Sequence, residues 1–483
     1  MNLLEYLENY NKKNMIPMHM PGHKRNIELA PYLKKLYANC DFTEIYGMDD
    51  LHSPESILKE AMIRAENLWN SKHSYYLVNG STGGILAGIR ACTNRGDYVL
   101  VARNCHKSVY NAIEICGLKP IYILPNMIAD LPIYSSVNPQ IVYNQIEKNK
   151  KIKLVIITSP TYEGIISDIG KISEIAHSFD IPVLVDEAHG AHLDISPYFI
   201  GGAVKNGADV IVQSLHKTLP SLTQTGIIHL NSDIIKPEKL QQQLSVFQTS
   251  SPSYLFMSSI DNCVNFLGNN IITFQSWNEN LNVFKNKVLQ LKKLQILNYT
   301  KNADISKEVF LFDKSKIVIS TSYTSISGNE LMQILRNNYN IELEMCSGDY
   351  VIAMTSMADS KENLLSLANA LIDIDSKIKK TNRECFVTSI KNLPKMDVDF
   401  FRNINQETEI IDITNAVGKT SNEYIWIYPP GIPIITPGEI ITSETIDIIM
   451  TVIEKKMNLQ KTVCNKNTDI SVINSNSKTK DLY

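Results

Sequence analysis

The sequence predicts an α/β protein: a mostly parallel sheet covered by helices, with a smaller α/β unit after it. Two observations carry this. From about residue 75 to 231, short apolar runs alternate with amphipathic stretches, and near 315 a second, shorter alternation begins. In chain order, 56–70 (ESILKEAMIRAENLW) comes first, placing Ile57, Leu58, Ala61, Met62, Ala65, Leu68 and Trp69 at helical spacing. The apolar runs follow: SYYLV (74–78), DYVLVA (97–102), PIYIL (120–124), KLVIIT (153–158), IPVLVD (181–186), ADVIVQS (208–214) and GIIHL (226–230). Stretches 107–116 and 168–179, lying between runs, are amphipathic helices. Residues 236–298 are expected to be largely helical. KIVISTSYT, IELEM and YVIAMTS, with helices near 328–338 and 361–376, make up the second unit.

This organisation divides the chain into 1–300 (N-terminal segment and large domain), 301–380 (small α/β domain), 381–457 (a C-terminal segment with a final helix) and a tail, 458–483. The tail is rich in Asn, Lys, Ser and Thr, and is expected to hold too little apolar surface to pack. Hydrophobic residues make up 44%, charged residues 20%, and the net charge is −3, which favours a small ligand over nucleic acid or a membrane surface. No run approaches the ~18 apolar residues of a membrane span, and no basic-then-apolar leader opens the chain. The eight cysteines stand singly, without CxxC pairs, as expected of a reducing cytoplasm.

Ligands of such sheets bind beyond the carboxyl ends of the strands, so chemistry is sought where the apolar runs stop. Four such places stand out. VNGSTGGI (78–85) leads a strand through Gly80-Ser81-Thr82-Gly83-Gly84 into a helix, a cradle for an anion or an ordinary capped turn. NCHKSVY (104–110) sets His106 after a strand. In VLVDEAHGAH (183–192), Asp186 ends an apolar strand, where an unpaired carboxylate is costly. A metal site on Asp186, His189 and His192 lacks a supporting spacing, and a DEAH helicase would need GxxxxGK[ST] upstream. The one GKT, Gly418-Lys419-Thr420, lies downstream and has Ile413 where the first glycine belongs. An aspartate facing a protonated pyridine nitrogen is the third reading. The fourth place, VIVQSLHKTLPSLTQTG (210–226), puts Lys217 past a strand beside Ser214 and His216, where an amine with a lowered pKa forms an imine with an aldehyde. Together these are the groups that pyridoxal 5′-phosphate (PLP) requires.

With these motifs assembled, the chain resembles the ornithine/lysine/arginine decarboxylases of the fold type I (aspartate-aminotransferase-like) PLP enzymes, in the shorter bacterial form. The likeness runs through MPGHKRN (20–26), VNGSTGG, NCHKS, SPTYEG (159–164), VDEAHGAH, QSLHKTLPSLTQT, TSSPSY (249–254) and YPPGIPIITPGE (428–439). It implies a Schiff-base lysine at Lys217, a pyridine-nitrogen partner at Asp186 and a ring-stacking His106. It also implies Ser81, Thr82, Ser214 and His216 around the phosphate, and His189 near the phenolic oxygen. Thr249 or Ser250 would reach the phosphate of a second subunit in a homodimer or larger even assembly.

The implied reaction is decarboxylation of a basic amino acid, arginine before lysine and ornithine, to an amine or polyamine precursor. Either His216 or Lys217 would return the proton to Cα. Another fold type I reaction (aminotransfer, aldol cleavage or elimination) or a non-catalytic homologue is the alternative. Glu439 would either meet the substrate's distal cation or sit as an acid before the helix that follows. His23 would line the site or hold a loop. Pro220 and Gly226 depart from the family's usual residues and put the fit of the substrate in question.

Overall fold

The computed structural model describes residues 1–474 except 14, 27, 30–31, 129–130, 301–302, 304, 382–388, 398–406, 429–430 and 456. Pro429 and Pro430 of the YPPGIP run therefore lie outside the described residues. The chain forms two compact units, each assembled from separate stretches. One comprises Met1–Cys92, Ile169–Glu279 and Ser356–Ala358; the other comprises Thr93–Asp168, Asn280–Thr355 and Asp359–Tyr483. The seven apolar runs become strands β1 (His73–Leu77), β2 (Tyr98–Ala102), β3 (Lys119–Ile123), β4 (Ile152–Thr158), β6 (Val183–Asp186), β7 (Val210–Ser214) and β8 (Gly226–Leu230), with a short strand β5 (Ile165–Ile166) falling between β4 and β6 in the chain.

In the first unit the strand order is β1-β8-β7-β6. β6 pairs parallel with β7, while β8 runs antiparallel to both β7 and β1. The ends of β1, β6 and β7 thus share one edge, because Leu77 and Ser214 both face Gly226 and Asp186 faces Val212. Every residue of β6, β7 and β8 is buried, as expected of strands apolar on both faces. The helix Gly80–Cys92 lies directly on them. A Cβ at Gly84 would stand 2.5 Å from Leu77 Cδ1, and one at Gly88 would stand 2.9 Å from Leu184 Cδ1. These glycines set close helix–sheet packing.

The helix Ile57–Trp69 buries the expected face, with Leu68 only partly covered. Asp49 accepts hydrogen bonds from the backbone N–H groups of Glu55, Ser56 and Leu58, and so holds the start of that helix. Helices Pro237–Phe247, Tyr254–Asn269 and Ile272–Val288 fill the stretch expected to be helical.

The second unit holds β4-β2-β3, all parallel. It also holds a four-stranded antiparallel sheet that includes Lys316–Ser320 and Tyr350–Met354, with helices Gly328–Tyr339 and Lys361–Lys377. Of IELEM, only Met345 is in a strand (Met345–Ser347). The expectation of an unpacked tail is corrected for residues 459–473. Leu459–Lys461 pairs with Ile425–Ile427, and Asp469–Ile473 pairs with Thr408–Asp412. Ile470 and Val472 alternate into a core with Ile413, Ile425 and Ile449, and this periodicity outweighs the polar average of the segment. Among the described residues no helix is long and apolar enough to cross a membrane.

Candidate active site

At the common edge of β1, β6 and β7, the short helical turn Leu215–Thr218 continues β7 and carries Lys217 just beyond the strand. Lys217 Nζ lies 2.9 Å from His189 Nε2. Asp186, the last residue of β6, is 4% exposed and accepts a hydrogen bond from the Ala188 N–H at 3.2 Å. Burial raises the Asp186 pKa above the usual carboxylate value, and the opposing effect of Lys217 does not cancel it. This acid is therefore under-neutralised within its own unit.

His216 is turned by a contact of 2.9 Å between its Nδ1 and the Thr225 carbonyl oxygen. Since a carbonyl only accepts, Nδ1 carries the proton. Burial lowers the His216 pKa; the hydrogen bond to Thr225 works against this and the charge of Lys217 adds to it.

Among the described residues, Ser214 Oγ and Thr218 Oγ1 are buried without a hydrogen-bond partner. Four residues apart, they leave the strand end and its following turn with two unused hydroxyls, where buried polar groups are ordinarily hydrogen-bonded. Gly80, at a φ of +68°, donates its N–H to the Gln224 carbonyl at 3.0 Å, and Gln224 Nε2 donates to the Val78 carbonyl at 2.6 Å. These bonds tie the start of the helix carrying half-buried Ser81 and exposed Thr82 to the loop that follows Lys217. First-turn N–H groups and hydroxyls at such a helix start favour an anion. The Thr249 N–H reaches Asn79 Oδ1 at 3.4 Å, so exposed Thr249 and Ser250 adjoin the same turn of their own chain.

Two residues escaped the sequence reasoning. Thr218 is one; the i, i+4 relation to Ser214 was its signal. The other is Glu187, 1% exposed, which accepts hydrogen bonds from the Ala203 N–H and from Gln213 Nε2, both at 2.7 Å. It pins the strand end that bears Asp186, and burial pushes its pKa up to about 8.

The departure at Gly226 has a packing cause. A Cβ there would stand 2.8 Å from the Gln213 carbonyl oxygen, so β8 accepts only glycine at this point. Pro220 is exposed.

In the second unit, His106 caps the helix Lys107–Cys116; its Nδ1 accepts the Ser108 N–H at 3.2 Å, which fixes the ring. Gly431, at a φ of +85°, covers that ring, since a Cβ there would meet His106 Cδ2 and Tyr428 Cδ2 at 3.5 Å each. Glu439, expected either to meet the substrate's distal cation or to sit as an acid before the following helix, is paired inside the second unit. It is fully buried and bound by both oxygens to Arg103, with Nε–Oε1 and Nη2–Oε2 each at 3.1 Å, and it also accepts the Thr436 N–H at 2.8 Å. Its charge is answered by the guanidinium, and both oxygens accept hydrogen bonds inside the fold. His23 pairs with Asp41 at 3.1 Å and accepts the Arg25 N–H at 3.0 Å, which is the loop-holding role.

Residues 2–363 match the Orn/Lys/Arg decarboxylase major domain and residues 379–459 its C-terminal domain. An arginine decarboxylase of Bacillus anthracis is 31% identical over 95% of this chain and 94% of its own length. The lysine decarboxylase of Francisella novicida shares the fold at a TM-score of 0.81 and 18% identity, over 98% of this chain and 81% of that one. SPT with PLP shares it more distantly, at a TM-score of 0.56 and 13% identity over 73% of this chain and 84% of that one.

The residues present fit PLP. Ser214 Oγ has no hydrogen-bond partner among the described residues, Lys217 stands just past the strand end, and Asp186 is buried with its pKa raised despite Lys217. By sequence and by fold, then, the chain belongs to the Orn/Lys/Arg decarboxylase family: it is an amino-acid decarboxylase acting on basic substrates, with pyridoxal phosphate as the implied cofactor.

Proposed function

We propose that the enzyme decarboxylates arginine in preference to lysine and ornithine, forming an amine that serves as a polyamine precursor. The supporting observation is the set of Lys217, His189 and Asp186 at one strand edge, with Asp186 buried and short of positive charge. Arginine is placed first because a relative of that name aligns over nearly the whole chain.

Bound here, PLP supplies an electron sink for the pair left on Cα when CO2 departs. Lys217 would hold the cofactor's aldehyde carbon, and Asp186 would keep the proton on the pyridine nitrogen. Ser81, Thr82, Ser214, His216 and Thr218 would receive the phosphate, His189 would face the phenolic oxygen, and His106 would cover the ring. Selectivity for decarboxylation requires holding the Cα–carboxylate bond across the ring plane, which is a matter of positioning. His216 is held neutral with its Nδ1 proton on Thr225, which makes it a poor acid. Lys217 Nζ is therefore the better donor of the proton that Cα receives.

A homodimer or larger even assembly is part of this reading, with Thr249 or Ser250 reaching the phosphate of a second subunit. Apolar side chains left bare near the N-terminus, among them Ile16 at 83%, Met18 at 89% and Leu29 at 80%, support it. A cytoplasmic setting accords with Cys40, Cys92, Cys263, Cys346 and Cys464 being free thiols. Release of CO2 from arginine, lysine and ornithine by the PLP-loaded protein tests the reaction. No release from any of the three refutes it, and a higher kcat/KM for lysine or ornithine refutes the order of preference.

A further inference from the structure

β1 stands at the end of its sheet, so its outer edge has no neighbouring strand. The side chain of Gln248 takes the place of one. Its Oε1 accepts the Val78 N–H at 2.9 Å, and its Nε2 donates to the Tyr76 carbonyl at 3.2 Å. Gln248 is buried, and an amide bonded at both ends to backbone fixes the residue that carries it. Thr249 and Ser250 follow it directly, beside the turn where Val78 leads into the helix Gly80–Cys92.

Thr249 is held at both of its backbone polar groups by side chains from elsewhere in the chain. Its N–H donates to Asn79 Oδ1 at 3.4 Å, and its carbonyl accepts from His52 Nε2 at 2.9 Å. A carbonyl only accepts, so His52 carries a proton on Nε2. His52 is placed in turn by its own N–H, which donates to Asp50 Oδ1 at 2.8 Å. Past the loop, Tyr254 OH donates to the Asp49 carbonyl, which fastens the His52 segment to the start of the helix Tyr254–Asn269. The side chains of Thr249 and Ser250 are nevertheless exposed. Thr249 Oγ1 accepts the Ser251 N–H at 3.2 Å and so keeps its own proton for another acceptor. Exposed loops are ordinarily the mobile parts of a fold. Here the backbone is fixed and the hydroxyls face outward, which is what a preorganised contact to an anion requires.

We propose that His52, together with Gln248, positions Thr249 and Ser250 to donate to the phosphate of the cofactor and thereby sets how tightly PLP is held. This rests on the reading of Thr249 and Ser250 as phosphate ligands, whichever subunit supplies the phosphate.

The test titrates PLP into the full-length protein freed of cofactor and reads Kd from the visible absorbance of the bound form. It compares wild type with His52→Phe, His52→Gln, Gln248→Leu and the double variant Thr249→Ala/Ser250→Ala. His52→Phe keeps a flat ring without the N–H and raises Kd ~10-fold, the loss expected when one charge-assisted contact is weakened. His52→Gln returns an N–H and keeps Kd within ~3-fold of wild type. Gln248→Leu frees the loop from β1 and raises Kd at least as far as His52→Phe. The melting temperature of the PLP-free protein and its gel-filtration volume stay at wild-type values in both His52 variants, which separates positioning from loss of fold or assembly. If the double variant weakens PLP binding while His52→Phe does not, His52 loses this role and the phosphate reading of the two hydroxyls stands. If His52→Gln binds PLP as weakly as His52→Phe, or if weaker binding comes with a lower melting temperature of the PLP-free protein, the role is overturned as well. If the double variant binds PLP as tightly as wild type, the phosphate reading falls and this assignment falls with it.

Discussion

Asp186 and Glu439 are both buried acids that follow apolar strand residues, yet their surroundings lead them to opposite uses. Asp186 accepts one backbone hydrogen bond, and the pull of Lys217 leaves its burial uncompensated. Glu439 has both oxygens on Arg103 and a backbone N–H besides. Arg103 is completed by the Pro433 carbonyl at 2.7 Å and by Tyr110 OH at 3.1 Å. A buried carboxylate with its charge fully answered holds a fold together; one left short of positive charge is prepared for a cation that arrives with a ligand.

The sharpest way to break this contrast is at Lys217. Lys217→Ala should lower turnover by at least ~10³-fold and abolish the visible absorbance of bound PLP, because both the attachment point and the proton donor vanish. Steady-state CO2 release and an absorbance scan check this; a variant that keeps the absorbance band would show that another amine holds the cofactor. Asp186→Ala should cost on the order of 10²–10³-fold in turnover, while PLP content measured after gel filtration falls much less. Near-normal turnover would remove Asp186 from its role.

Glu439→Gln should act on stability instead. Stripping one partner from a buried ion pair costs about 3–5 kcal/mol, to be measured by chemical denaturation, with KM for the substrate unchanged in the protein that remains folded. A rise in KM without loss of stability would return Glu439 to the substrate site.

The smallest effect concerns pH. Glu187 has a folded pKa raised to about 8 from an ordinary value of 4.5, so between those values the folded state holds a proton that the unfolded state releases. Stability from this group is therefore complete below the unfolded value and is lost as pH rises toward 8. In Glu187→Gln that slope should flatten, as followed by melting temperature from pH 5 to 8. The Gln213 amide, which bonds Glu187 on one side and His229 Nε2 at 3.2 Å on the other, can turn to meet the new amide. Equal slopes in the two proteins would mean that Glu187 is charged throughout.

Much of the first unit was legible because the relevant information is local. The runs ending at Asp186 and Ser214 are apolar on both faces, so their burial and their polar last residues show directly in the text. The helix start at Gly80 was equally plain, although Gly84 proved to serve packing against Leu77 and Val212. The segment after 458 was misjudged because its average is polar, whereas the alternation Ile470, Val472 is what a partner strand recognises.

Apolar periodicity and motif order were sufficient to place Lys217, Asp186 and His189 at strand ends, since the burial of a strand is encoded in its own residues. The fate of each acid was settled only by tertiary structure. Arg103 lies 336 residues before Glu439. Whether a buried charge is answered depends on such long-range partners, and no local spacing specifies them.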